Sequence, residues 1–364
     1  MNKTQLSKPK IAMDISTTGK GGGPYTSTRR IMTSALTNDF SFHEITYNPD
    51  FGRGISIRRI LDIRRQIICI EPNIVHFTGL QLSGFHMAVA CWLAGVRRSV
   101  VTIRGSSADA LNFSSVKKLI VARLLEPLTL LLSTRIVGVS DYVTSTKVPK
   151  MFSKKVVGTI YNFPPPRQSP PSSSLLLRDA FGFSSQDIVV ISIGRINRDK
   201  GSHILESAIE KLRYYERIKF LVVGDGEYRL EMQANLSEQI NLGKVKFLGY
   251  RDDVLELNKL ADIFVLPTLH ETLSNALLEA SYASLPIIAS KTGGVPEIVE
   301  TGFNGILVPP GDIEELTNAI AFLASDEEQR ATFAKNAEKL MNRKFSEVKI
   351  TEQLKNVYTE LLLR

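Results

Sequence analysis

Short apolar runs bounded by turn residues alternate with helical patterns along the whole 364-residue chain, and this alternation confines it to a parallel α/β architecture. In the first half the runs predict strands at 11–16, 42–47, 73–77, 99–103, 135–139 and 156–160. In the second half they predict strands at 188–193, 218–223, 245–248, 263–266, 287–289 and 305–308. Between the halves, residues 162–174 hold five prolines and four serines, the composition of a semi-rigid linker. A single core stops growing at roughly 250–300 residues. Two domains are therefore expected, 1–165 and 166–344, with a closing helix at about 345–364 packing back on the first.

Charge divides along the same line. Residues 1–165 carry 22 Lys and Arg against 9 Asp and Glu, whereas 166–364 carry 23 against 28. A half that basic attracts a polyanion or an anionic membrane surface. Arg58, Arg59, Arg64 and Arg65 alternate with Ile57, Ile60, Leu61, Ile63, Ile67 and Ile68, a basic amphipathic helix suited either to a membrane surface or to packing on its own sheet. Nucleic acid is not expected, because aromatic stacking platforms are not interleaved with the cations. The N-terminal stretch lacks the apolar core of a signal peptide and no charge-free run is long enough to span a bilayer, so a cytoplasmic protein is expected. Cys69 and Cys91 both lie among apolar residues and are expected to be buried free thiols.

The chemistry-bearing residues sit where predicted strands end. After 263–266 comes His270-Glu271-Thr272-Leu273-Ser274-Asn275-Ala276-Leu277-Leu278-Glu279, in which Ser274 is an N-cap and Leu273 and Leu278 occupy hydrophobic-staple positions. A helix is therefore expected from Asn275. Its first N–H groups favour an anion, and a carboxylate on each side suits a ligand bearing phosphate and hydroxyls. Alternatively, Glu271 is an ordinary loop acid and Glu279 a solvated helix residue. After 188–193, Gly194 allows a turn, Arg195 can fork onto phosphate oxygens, and Lys200 adds a point charge. Gly224-Asp225-Gly226 and Gly293-Gly294 read as further backbone-exposing turns. In the first half, Gly19 to Gly23 follows a strand but is not a dinucleotide fingerprint, because Pro24 stands where the third glycine belongs. It is not a Walker A loop either, since Asp14 precedes Gly19 by five. His76 reads equally as a packed strand-end histidine or as a ligand contact, and no His/Cys spacing suits zinc.

Taken together, Gly194-Arg195, Lys200-Gly201, Gly224-Asp225-Gly226, the 262–267 strand, Glu271, Glu279 and Gly293-Gly294-Val295-Pro296-Glu297 resemble the retaining glycosyltransferases of family 4. The similarity runs through essentially the whole chain. It implies the GT-B fold, two Rossmann-like parallel-sheet domains facing a central cleft, and a nucleotide-diphosphate-sugar donor held mainly by the C-terminal domain. Arg195 and Lys200 would then bind the diphosphate, Glu279 the ribose and Glu271 the donor sugar. Backbone groups of Leu273, Ser274 and Asn275 would contact diphosphate or sugar, and Gly22 and Gly23 would approach from the other domain. The chain departs from the family pattern at Thr272 and Ser274, where many members have glycine and proline. It departs again at Arg104-Gly105-Ser106, where many have histidine, which leaves His76 and Arg104 as acceptor-side candidates.

The resemblance implies retaining, metal-independent transfer of a hexosyl unit from a nucleotide sugar without a cofactor; the sequence does not name the base, and a UDP-sugar is taken as the expectation over a GDP-sugar. The basic first domain suggests an anionic acceptor. A polyprenyl-diphosphate-linked glycan at the inner membrane face is expected, as in O-antigen, capsule or lipopolysaccharide assembly. The alternatives are a nucleotide-sugar epimerase of the same fold and a non-catalytic subunit binding nucleotide sugar or lipid. A glycoside hydrolase built on Glu271 and Glu279 is disfavoured, because its carboxyls must flank a scissile bond.

Overall fold

A computed structural model describes residues 7–15, 22–51, 54–105, 120–166 and 178–364. The chain divides into two compact units, one comprising Met1–Phe163 with Glu347–Arg364, the other Pro164–Ser346. The glycine loop before Gly22 and most of the proline-rich linker lie outside the described residues.

In the first unit β1 (Lys10–Ile15), β2 (Ser41–Thr46), β3 (Ile74–Thr78), β4 (Ser99–Ile103), β5 (Arg135–Gly138) and β6 (Val156–Thr159) form one parallel sheet in the order β2-β1-β3-β4-β5-β6. Around it lie α1 (Gly23–Met32), α2 (Ile57–Ile70), α3 (Leu82–Leu93) and α4 (Glu126–Leu132), the last entered through a π-helical turn at Val121–Leu125. The inner strands β3 and β4 are buried at every position, His76, Thr78, Ser99 and Thr102 included, as strands covered on both faces of a parallel sheet are. Helix α2 turns Ile60, Ile63 and Ile67 inward; Ser56 caps its start, and Glu71 ends it in the left-handed conformation. Cys91 is buried, and burial pushes its thiol up to about 12. Cys69 corrects the sequence expectation: it is exposed, because it falls on the solvent side of α2, out of phase with the inward isoleucines.

The second unit holds β7 (Ile188–Ile193), β8 (Ile218–Val223), β9 (Val245–Gly249), β10 (Ile263–Leu266), β11 (Ile287–Ser290) and β12 (Gly305–Val308). All pair in parallel, in the order β12-β11-β10-β7-β8-β9. This is the doubly wound arrangement, with the order reversing between β7 and β10. Helix α5 (Ser202–Lys211) follows β7, and α6 (Asn275–Tyr282) follows β10. The final helix α7 (Glu347–Leu363) belongs to the first unit, where Ile350, Leu354, Val357, Tyr358 and Leu361 join Ile11, Met13, Ile74 and Val100 in its core.

Candidate functional site

Where strand order reverses, the carboxyl ends of the two central strands are the usual ligand position in open α/β sheets. In the second unit the loops leaving these strands carry Arg195 and Lys200 after β7 and Glu271 after β10. Lys200 is fixed locally before it meets anything distant. The buried Asn197 accepts the Lys200 backbone N–H through Oδ1 at 3.0 Å. Gly201 sits at φ +71°, and a Cβ there would stand 1.8 Å from the Pro267 carbonyl oxygen, so the two loops touch backbone to backbone. The Leu269 N–H completes the junction by donating to the Asp199 carbonyl at 2.9 Å.

That junction brings Lys200 Nζ to 2.7 Å from Glu271 Oε2, with the side chains only 21% and 11% exposed. Glu271 Oε1 accepts the Thr272 N–H at 3.1 Å, and the Glu271 carbonyl accepts the Gly294 N–H at 3.4 Å. The Gly293-Gly294 turn therefore braces the acidic loop. Next along the chain, Ser274 caps α6 by accepting the Leu277 N–H at 3.3 Å, and Leu273 and Leu278 are both buried. Asn275 opens the helix and Glu279 lies half-buried in its second turn, while Arg195 is exposed at the end of β7. The structure thus gathers Arg195, Lys200, Glu271, Leu273, Ser274, Asn275 and Glu279 at one end of one sheet: two cations, two carboxylates and a helix N-terminus.

The Gly224-Asp225-Gly226 loop departs from its expected role. A Cβ at Gly224, whose φ is +132°, would lie 1.8 Å from the Gly194 carbonyl oxygen, and one at Gly226 would lie 2.3 Å from that of Ile196. These glycines let the loop after β8 press on the loop after β7, and so hold Arg195 from behind. Arg251 and Asp253, in the loop after β9, are paired with each other: Arg251 Nε donates to Asp253 Oδ1 at 2.7 Å and the second guanidinium arm forks onto Oδ2. Among the described residues no group of three or more His, Cys, Asp or Glu is placed to hold a metal ion.

The remaining candidates belong to the first unit. Gly22 caps α1 and Gly23 begins it, both exposed. Arg104, just past β4, donates from Nη1 to Asn162 Oδ1 at 2.9 Å; burial lowers its guanidinium to about 10, against the pull of Asp14. His76 has to be reassigned. It is 1% exposed, with Nδ1 2.6 Å from the Tyr358 hydroxyl and Nε2 2.6 Å from Thr102 Oγ1. Burial, with repulsion from Arg104, holds its pKa down to about 3, so it is a neutral core residue joining α7 to the sheet rather than an acceptor contact. Sequence reading also missed Asp14, which is 4% exposed inside β1. Its carboxylate accepts the Thr78 N–H at 2.8 Å, the Thr78 hydroxyl at 3.2 Å and the Tyr47 hydroxyl at 3.4 Å. Burial pushes it up to about 6 against these bonds and Arg104. An acid inside an apolar strand was the available signal.

Comparison with known proteins fits this frame. Residues 175–340 match the family model of glycosyl transferases group 1. The chain is 26% identical to the UDP-Gal:alpha-D-GlcNAc-diphosphoundecaprenol alpha-1,3-galactosyltransferase of Escherichia coli, over 98% of this chain and 91% of that protein. It is 25% identical to the capsular polysaccharide biosynthesis glycosyltransferase CapM of Staphylococcus aureus, over 88% of this chain and 85% of that one. The fold matches that of Anabaena Alr3699/HepE, solved in complex with UDP-glucose, with TM-score 0.79 and 23% identity over 96% of this chain and 99% of that one. The matches support a glycosyltransferase of the GT-B fold. The glycosyltransferase-matched segment contains Arg195, Lys200, Glu271 and Glu279.

Proposed function

We propose that this glycosyltransferase moves a hexosyl unit from a UDP-sugar to a hydroxyl of a polyprenyl-diphosphate-linked glycan, with retention at the anomeric carbon, in bacterial surface polysaccharide assembly. The observation that carries the reading is the Lys200–Glu271 pair at the reversal point between β7 and β10, beside Arg195 and the start of α6. Leaving-group departure puts negative charge on the diphosphate, and Arg195, Lys200 and the helix N-terminus stabilise charge of that sign without requiring a metal. Glu271 receives the sugar hydroxyls, Glu279 the ribose, and backbone groups of Leu273 to Asn275 the diphosphate or sugar. Gly22 and Gly23 are assigned to the donor by family resemblance. In front-face attack the departing phosphate accepts the acceptor's proton, so neither glutamate acts as a general base. The E. coli relative's diphosphoundecaprenol acceptor supports the lipid-linked choice, and the UDP-glucose complex of the Anabaena protein supports the donor base.

The test is a turnover screen of UDP-, GDP- and ADP-sugars with a short-chain polyprenyl-diphosphate-sugar acceptor. A glycosidic product from a UDP-sugar, with the donor's anomeric configuration by NMR, is expected. An inverted product, or a donor converted to an epimer without acceptor, overturns the proposal.

A further inference from the structure

Two helical segments of the first unit expose the same stripe. On α2 the outward residues are Ile57, Leu61, Arg65 and Ile68, with the three aliphatic side chains 73%, 43% and 48% exposed. Along the π turn and α4 they are Ile120, Leu124, Leu128 and Leu131, at 47%, 64%, 38% and 59%. Both follow the spacing i, i+4, i+8, i+11, which is one face of a helix. Helix α3 packs against both segments and ends in Trp92 and Leu93, 66% and 41% exposed. Aliphatic side chains this exposed on neighbouring helices have lost contact with water-excluding partners, and an apolar face of that kind marks an interaction surface.

The charges around the stripes choose the partner. Arg58, Arg65, Arg97 and Arg123 are exposed among them. Of the carboxylates on these helices, Asp62 accepts from Gln66, and Glu126 is buried; Glu71 is exposed only beyond the end of α2. Arginines interleaved with leucine, isoleucine and a tryptophan match an interface where headgroups are anionic and acyl chains begin nearby. No helix among the described residues is long and apolar enough to cross a membrane, so the contact is one of lying on the surface. We infer that α2, the end of α3, and the π turn with α4 form a face that docks on an anionic lipid bilayer. The proposed lipid-linked acceptor adds to the charges in favouring a bilayer as the occupant; the face itself is independent of the reaction.

Trp92 is the only tryptophan in the chain, so its fluorescence reports this face alone. Sedimentation and emission are measured with the full chain on vesicles of phosphatidylglycerol and phosphatidylethanolamine, and on vesicles of phosphatidylcholine. Co-sedimentation with a blue shift and quenching by brominated lipid is expected on the anionic vesicles, weakening as salt rises. Leu61→Glu and Leu124→Glu should each lower partitioning about tenfold or more, with melting temperature and transfer to a water-soluble acceptor unchanged. An unshifted Trp92 spectrum on the anionic vesicles overturns the inference. So does a wild-type dimer that Leu61→Glu dissociates, which would make a second copy of the chain the occupant. If no acceptor is ever glycosylated, the proposed reaction fails while vesicle binding still decides the face.

Discussion

In the free protein Lys200, the cation proposed to meet the diphosphate, is already paired, since its Nζ lies 2.7 Å from Glu271 Oε2. Glu271→Gln keeps the size of the side chain and an oxygen for the Thr272 N–H but removes the charge opposite Lys200. Exposed ion pairs contribute about 0–1 kcal/mol, and breaking a buried one costs about 3–5 kcal/mol. With side chains 21% and 11% exposed, this pair stands between the limits. The variant should unfold about 2 kcal/mol more easily without ligand. Its effect on UDP should have the opposite sign. Lys200 no longer has to leave a carboxylate to meet the diphosphate, and a gain of about 1 kcal/mol corresponds to roughly fivefold tighter UDP. Sugar transfer should meanwhile fall by about 10² to 10³, the scale for losing one charged contact in a transition state. Calorimetric titration of UDP, a melting curve and turnover measure the three quantities. Lys200→Met should instead weaken UDP. If Glu271→Gln weakens UDP as much as Lys200→Met does, the pair is not the competitor described and the donor-site reading is wrong.

His76→Ala leaves the Tyr358 hydroxyl and Thr102 Oγ1 without their ring partner and opens a cavity, so it should destabilise the protein by about 3–4 kcal/mol. Turnover per folded molecule in the cold should be kept; a specific loss of turnover would restore His76 to the acceptor site. Burial raises Asp14 from 3.8 to about 6, so the folded state holds its proton more tightly than the unfolded one, and stability falls as pH rises through that window. Asp14→Asn should remove this slope, which amounts to about 3 kcal/mol, and denaturant titrations at pH 4 and pH 7.5 check it. Gly201→Ala must move a backbone that a Cβ would approach to 1.8 Å. It should lower both the melting temperature and UDP affinity, and an unchanged UDP affinity would mean that the loop junction does not set the position of Lys200.

Apolar-rich runs bounded by turn residues located the twelve described strands to within a residue, because the central strands of a parallel sheet are buried on both faces. Ser274 as a cap was equally legible, since capping is chemistry between residues three apart. What the sequence hid is what depends on distance across the fold. Lys200 and Glu271 were each readable as donor contacts, but their mutual bond spans 71 residues. Gly224 and Gly226 looked like ligand-exposing glycines, and only packing shows that Gly194 and Ile196 take that space. His76 reads the same whether it faces a crevice or Tyr358, because the difference lies in a helix 282 residues away.

That helix has a consequence for synthesis. Tyr358 is fully buried against a sheet made of residues 10–159, yet it is made after the entire second unit. The first unit to emerge from the ribosome is therefore the second to finish. The second unit can close as soon as β12 and its covering helices are out, while the first waits with an open hydrophobic slot for α7. Trimming the chain before residue 347, though it spares every residue proposed to hold the donor, would strip the core of the other unit.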